Sequence, residues 1–302
     1  MNRSAASRWP SLRPVARLAL LIVLLLVVAG CDEAPPTFQV REPALQVRTI
    51  NGHAVPAFPT PEEQLAYTRS SFADLNEKRA ALEAVALLFP DAEEPGGEAA
   101  LELAYLRLGP DYRLASAEAR QAAIAAYQAI IKTHGRFPAI AARAQWYVGW
   151  IACTLLDERQ RGLAAFRAVV EQYPQVERTT APGMPLVSLA EPSAEAASPA
   201  GSEERSFWAD LALLAIVRCA DGERTAHEAM LQLRQRNPQG RCTGLALREL
   251  LQRAPAVTET IGFAREYLQG RSAHPSIEED LRALLHEDQP VAPLSRQADN
   301  RQ

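Results

Sequence analysis

Residues 161–174 read RGLAAFRAVVEQYP, and their spacing decides the fold: a small residue at Gly162, an aromatic four later at Phe166, an apolar residue three further at Val169, and proline five beyond at Pro174. The same offsets return at Ala226, Met230, Leu233 and Pro238, and again at Lys78, Leu82, Val85 and Pro90. A fourth stretch carries Ala123, Tyr127 and Ile130 but reaches its proline only at Pro138, so it departs at the closing turn. Steps of four and three keep apolar side chains on one face of a helix, and proline does not continue a helix interior. Each stretch therefore reads as a helix whose apolar face a neighbour must cover. The small residue lets that neighbour approach, and Tyr127, Phe166 or Met230 fills the remaining gap.

Upstream of two of these helices lies a second pattern. Ala144, Trp146, Val148 and Gly149 occupy alternating and closing positions of one helix, and Ala209, Leu211 and Leu213 repeat the spacing. The pair of helices resembles the tetratricopeptide repeat, whose second half carries an alanine, an aromatic four residues later and a proline. The resemblance covers roughly residues 62–270. It implies an all-α fold, a solenoid of stacked antiparallel helix hairpins whose cores merge into one. The expected units are 62–90, 97–138, 139–174 and 204–238, then a less typical hairpin at 243–270. A capping helix is expected from Ser276 to His286, with Ser276 and Glu279 as a capping box. Gly96-Gly97 reads as a turn.

The amino terminus says where the chain belongs. Arg3, Arg8, Arg13 and Arg17 precede an uncharged run from Leu18 to Gly30, and Val28-Ala29-Gly30-Cys31 closes it. Basic start, apolar middle and small residues are the order of a secretory signal. The apolar run is short for a membrane span, which needs about 20 residues. The closing four residues resemble the lipobox of bacterial lipoprotein precursors. That resemblance implies cleavage before Cys31, lipidation of its sulfur, and sorting by Asp32, with the inner membrane favoured over the outer. Several acyl chains together give stable anchoring. After cleavage, 28 basic residues face 36 acidic ones, a net charge near −8. An acidic chain whose arginines are dispersed lacks the basic stripe that nucleic acid requires.

Composition shifts divide the rest. Pro35, Pro36, Pro43, Pro56, Pro59 and Pro61 make 31–60 a proline-rich tether; inside it, Phe38–Arg41 and Leu45–Arg48 alternate apolar and polar near the turn signal Asn51-Gly52, compatible with a short strand pair. Helical repeats are expected over 61–174 and 204–287. Between them, 175–203 carries Pro182, Pro185, Pro192 and Pro199 and reads as a disordered insertion. Residues 288–302 form a tail.

No catalytic motif accompanies this framework. His53, His134, His227, His274 and His286 are isolated, without metal-ligand spacing, and Glu278 and Glu279 are adjacent rather than facing. No metal or cofactor is expected. With Gly149 at the close-packing position, Trp146 and Trp150 lie four apart on one face, and Trp208 lies near the equivalent face of the next copy. The resemblance makes that face the concave groove. These rings either anchor a partner peptide or fill the interior, and the residues leave both open. Arg218, one turn away, is a candidate contact for a partner carboxylate. Three thiols remain besides Cys31. Any disulfide is expected to join Cys153 and Cys219, at similar heights on first helices of stacked copies. Cys242 lies past the return helix, about 14 residues at ~1.5 Å away, roughly 20 Å. The alternative is that all three stay unpaired as small buried residues.

The functional expectation is a membrane-anchored, non-enzymatic scaffold on the periplasmic side, binding another envelope protein. The resemblance extends to envelope lipoproteins that help assemble outer-membrane β-barrels or coordinate envelope growth. The rival is a cell-wall hydrolase or its accessory subunit.

Overall fold

The computed structural model describes residues 46–70, 72, 74–177, 207–270 and 274–285. Among these, a two-stranded hairpin precedes eleven α-helices, so the chain is mostly helical. The strands are β1 (Gln46–Ile50) and β2 (His53–Ala57). The helices are α1 (Pro61–Tyr67), α2 (Leu75–Leu88), α3 (Glu93–Leu106), α4 (Ala117–Thr133), α5 (Pro138–Trp150), α6 (Arg159–Gln172), α7 (Trp208–Cys219), α8 (Glu223–Arg236), α9 (Arg241–Arg253), α10 (Thr258–Gln269) and α11 (Pro275–Leu284).

The hairpin corrects the extent of the tether. Asn51 and Gly52 both take positive φ, 51° and 83°, the geometry of a two-residue turn whose twist matches antiparallel strands. Ile50 then pairs with His53 and Gln46 with Ala57. The partner of the 46–50 strand is therefore 53–57, on the far side of the turn. Ile50 and Val55 are buried against Ala80, Ala81 and Ala84 of α2, and the Asn51 amide donates to the Glu83 carboxylate. The compact unit accordingly starts at Gln46. Pro56 is tolerated because a two-stranded sheet has only edge strands.

Local chemistry starts several helices. Thr60 caps α1 by accepting from Glu63 N at 3.2 Å, Asp74 caps α2 through Asn76 N at 2.9 Å, and Ser116 caps α4 through Ala119 N at 3.2 Å. Proline takes an early position in α1, α5 and α11, where a missing N–H costs nothing. Pro90 and Pro238 instead sit in the connections before α3 and α9, so of the repeat-closing prolines only Pro138 opens the following helix. The capping box at Ser276 does not form: α11 begins at Pro275 after His274, which places Ser276 inside the helix. Gly96 and Gly97 are likewise helical, in α3. A Cβ on Gly97 would meet Ile140 Cδ1 at 2.5 Å, so this glycine admits α5 rather than making a turn.

Each helix packs on the next in sequence. In addition, α1 packs on α3, α3 on α5, α5 on α7, α7 on α9 and α9 on α11, whereas the even-numbered helices do not pack comparably on one another among the described residues. One hydrophobic core runs from Leu101 of α3 to Leu281 of α11, and smaller clusters join α1, α2 and the hairpin. The connection from α6 to α7 leaves and returns at one place: Glu177 bridges Phe207, and Trp208 N donates to Val176 O at 3.1 Å. Helices α6 and α7 consequently pack directly. The greater part of the 175–203 insertion, the signal, the lipobox with Cys31 and Asp32, His286 and the tail lie outside the described residues.

Candidate functional site

The repeat-packing residues meet where α5 and α6 cross. A Cβ on Gly149 would lie 2.7 Å from Phe166 Cε1, and one on Gly162 would lie 2.9 Å from the Gly149 carbonyl oxygen and collide with Cys153. Each glycine is thus required by its opposite helix. Phe166, Ala226 and Met230 are buried, as are Tyr127, Val169 and Leu233. Pro174 opens the connection from α6 to α7, and its carbonyl accepts from Arg236 Nη2 at 2.5 Å. Pro238 follows α8 in the turn to α9.

An aromatic seam runs through the centre. Tyr147 of α5 stacks on Tyr127 of α4 with centroids 5.0 Å apart and planes 4° from parallel, and meets Tyr105 of α3 edge-on at 6.1 Å. Trp150 meets Tyr112 at 5.2 Å. Trp146 touches Phe166 at 6.2 Å and Trp208 of α7 at 6.0 Å. Trp146 of α5 and Trp208 of α7, expected on equivalent faces, are thus brought together. They do not form an open groove: Trp146, Trp150 and Trp208 are only 4 %, 1 % and 4 % exposed. The reason lies in the helices that carry them. From Ile140 to Trp150 only Gln145 escapes full burial, and from Trp208 to Val217 only Leu211 does. Helices apolar on every side are core helices, so these tryptophans fill the interior.

Arg218 is also engaged within the chain. Its Nε lies 3.5 Å from Glu249 Oε2 of α9, and burial pulls its pKa below the usual guanidinium value while Glu249 opposes the shift. It does not point a free cation at a partner.

Buried charges accompany the seam, and the repeat pattern gave no notice of them. Arg143 donates to Glu98 Oε2 at 2.8 Å, and Lys78 Nζ lies 3.5 Å from Glu102 Oε2. Burial raises the Glu102 carboxyl, opposed by Lys78, Arg69 and Arg143. Asp210, buried on α7, accepts from Arg236 Nε at 2.6 Å. Burial pushes the Tyr105 hydroxyl to about 12, with Tyr147, Tyr112 and Asp111 adding to it. The available signal was a lone charge inside an apolar run: Glu102 in ALELAYL, Arg143 in IAARAQW and Asp210 in WADLALL. Such a charge is held only when paired.

The thiols form a further cluster. Cys153, in a π-helical turn over Ile151–Leu155 that extends α5, neighbours the thiol of Cys219 at the end of α7, and each thiol is the largest influence on the other's protonation. Both are unbridged, as is Cys242. Among the histidines, His227 Nε2 lies 3.2 Å from Glu259 Oε2 and its ring packs on Phe263. Among the described residues no three His, Cys, Asp or Glu side chains converge to hold a metal ion, and no helix is long and apolar enough to cross a membrane. Compared with family models, curated proteins and solved structures, the chain matches none.

Proposed function

We propose that this chain is a tetratricopeptide-like solenoid that acts as a non-catalytic scaffold, held by a lipid on Cys31 at the periplasmic face of a bacterial membrane. One observation carries the reading: the first helix of each hairpin packs on the first helix of the next, from α1 through α3, α5, α7 and α9 to α11. Units that contact only their neighbours build an elongated surface suited to binding a protein segment. The close approaches at Gly149 and Gly162 support the same reading, because they fall where the repeat places its small residues.

Buried tryptophans alter how binding works in this reading. The aromatic seam and the ion pairs Arg143–Glu98 and Asp210–Arg236 stiffen the middle of the stack, and recognition falls to side chains that remain exposed on its surface. A rigid frame lowers the ordering cost of binding. The partner is another envelope protein or a peptide segment of one.

Affinity capture of the full chain from detergent-solubilised envelopes, beside the Cys31→Ser variant, tests the proposal. Reproducible recovery of one envelope protein in near-stoichiometric amount is the expected result. Absence of any partner together with turnover of a cell-wall polymer by the purified chain would replace the scaffold by a hydrolase.

A further inference from the structure

We propose that Cys153 and Cys219 are a reversible redox pair, in which Cys219 attacks the disulfide of a thiol–disulfide oxidoreductase and Cys153 closes an intramolecular bond stapling the end of α5 to the end of α7. The inference rests on the geometry around the two sulfurs and does not depend on the scaffold reading.

Three features bring the sulfurs together. Helices α5 and α7 pack directly. The π-helical turn carries Cys153 into the notch left by Gly162, where its Sγ also lies 3.8 Å from Arg159 O. The Arg159 guanidinium pairs with Asp221, two residues past Cys219, and so ties the start of α6 to the end of α7 beside both thiols. So placed, each thiol is the largest influence on the other's protonation.

The surroundings make the two sulfurs unequal. Hydrogen bonding from Cys153 lowers the Cys219 pKa; burial opposes this, and the guanidinium groups of Arg159, Arg253 and Arg218 add to the lowering. Cys153 moves the other way, through its hydrogen bond to Cys219 and then through burial, with Asp157 adding to the rise. Cys219 ends a helix, where the macrodipole disfavours an anion. Arg253 counters it by donating to Val217 O at 2.8 Å and Arg218 O at 2.6 Å. Glu249 pairs with both Arg218 and Arg253, and Cys242 lies near Arg218, without reversing the balance. Cys219 is also the less buried of the pair.

The chemistry follows from that inequality. The Cys219 thiolate attacks one sulfur of the oxidant's disulfide; that S–S bond breaks, and the released thiolate takes a proton. Cys153 then gives its proton to solvent and attacks the Cys219 sulfur, expelling the second oxidant thiol. Two protein thiols lose two electrons, and one oxidant disulfide becomes two thiols. The new bond closes a loop that contains the whole α6 to α7 connection.

Oxidised glutathione serves as the probe, with the reduced full chain, followed by acid quench and peptide mapping that separates the peptide carrying Cys31. The expected product is a Cys153–Cys219 cross-link that dithiothreitol reverses and that raises Tm by several degrees. In the Cys153→Ser variant, glutathione should remain on Cys219. Pulsed alkylation of the reduced wild type at neutral pH should modify Cys219 about tenfold faster than Cys242. That measurement needs no variant, so a misfolded substitution would not weaken the test. A Cys219–Cys242 cross-link, three thiols still free in an oxidising glutathione buffer, or equal alkylation of Cys219 and Cys242 would each overturn the proposal.

Discussion

Two neighbouring glycines show how finely the packing discriminates. Gly96 and Gly97 share α3, yet a Cβ on Gly96 meets nothing within 4 Å, whereas one on Gly97 runs into Ile140 and His134. Gly96→Ala should therefore raise stability by about 0.4–1 kcal/mol, because it restricts only the unfolded chain. Gly162→Ala should lower it by roughly 1–3 kcal/mol, since a Cβ there meets Cys153 first and then the Gly149 backbone, which cannot swing aside. Gly149→Ala should cost less, because the Phe166 ring can tilt, and Phe166→Leu in the same chain should recover part of the loss. Urea midpoints order the variants. At Glu102 the readout is pH. Burial raises this carboxyl above its ordinary 4.5, so the folded state holds the proton more tightly than the unfolded one. Its contribution is favourable below 4.5 and is withdrawn as pH rises through the folded value. Glu102→Gln should thus gain stability relative to the wild type between pH 4 and pH 7; a difference that stays flat with pH would refute the assignment.

Among elements, the α6 to α7 junction makes the sharpest claim. Pro174 O, Asp210 and Arg236 lock the point where the chain departs and returns, and the Glu177–Phe207 bridge closes it. Removing Pro182 to Pro199 leaves every one of these contacts in place. Circular dichroism should show unchanged helical content after that deletion, and Tm should move by less than about 4 °C, the shift of roughly 1 kcal/mol for a domain of this size. A much larger loss would mean that the segment packs into the helical stack. The hairpin behaves oppositely: Ile50 and Val55 cover Ala80, Ala81 and Ala84, so it belongs to the fold, although its Pro56 resembles the prolines of the tether.

For the molecule as a whole, the proposed lipid anchor and the helical part make separable predictions. On the proposed lipidation of Cys31, Cys31→Ser should move the chain from membrane to soluble fractions, because stable attachment takes several acyl chains. Unchanged fractionation with an unaltered mass would remove the lipid. Asp32→Ser should shift the sorting of the anchored chain between inner and outer membrane; identical outer-membrane residence of both forms would discard the sorting role. Neither substitution should alter the unfolding of the compact unit, which begins at Gln46.

Sequence alone determined what depends on neighbours along the chain: helical faces, their small and aromatic positions, and the break in periodicity after Pro174. It found Gly149, Gly162, Phe166 and Met230 because close packing of two helices leaves a mark at fixed offsets. It also brought Cys153 and Cys219 to comparable heights. Whether a face stays open is a different kind of property, set by what arrives from far along the chain. Trp146 looked equally fit for a groove or a core, and only the approach of α7 with Trp208 buried it. The hairpin needed its second strand to cross Asn51-Gly52 and find α2. The charges at Glu102, Arg143 and Asp210 acquired their meaning only from partners 24 to 45 residues away. Periodicity records which face of an element is apolar, and tertiary structure decides how many faces its neighbours cover.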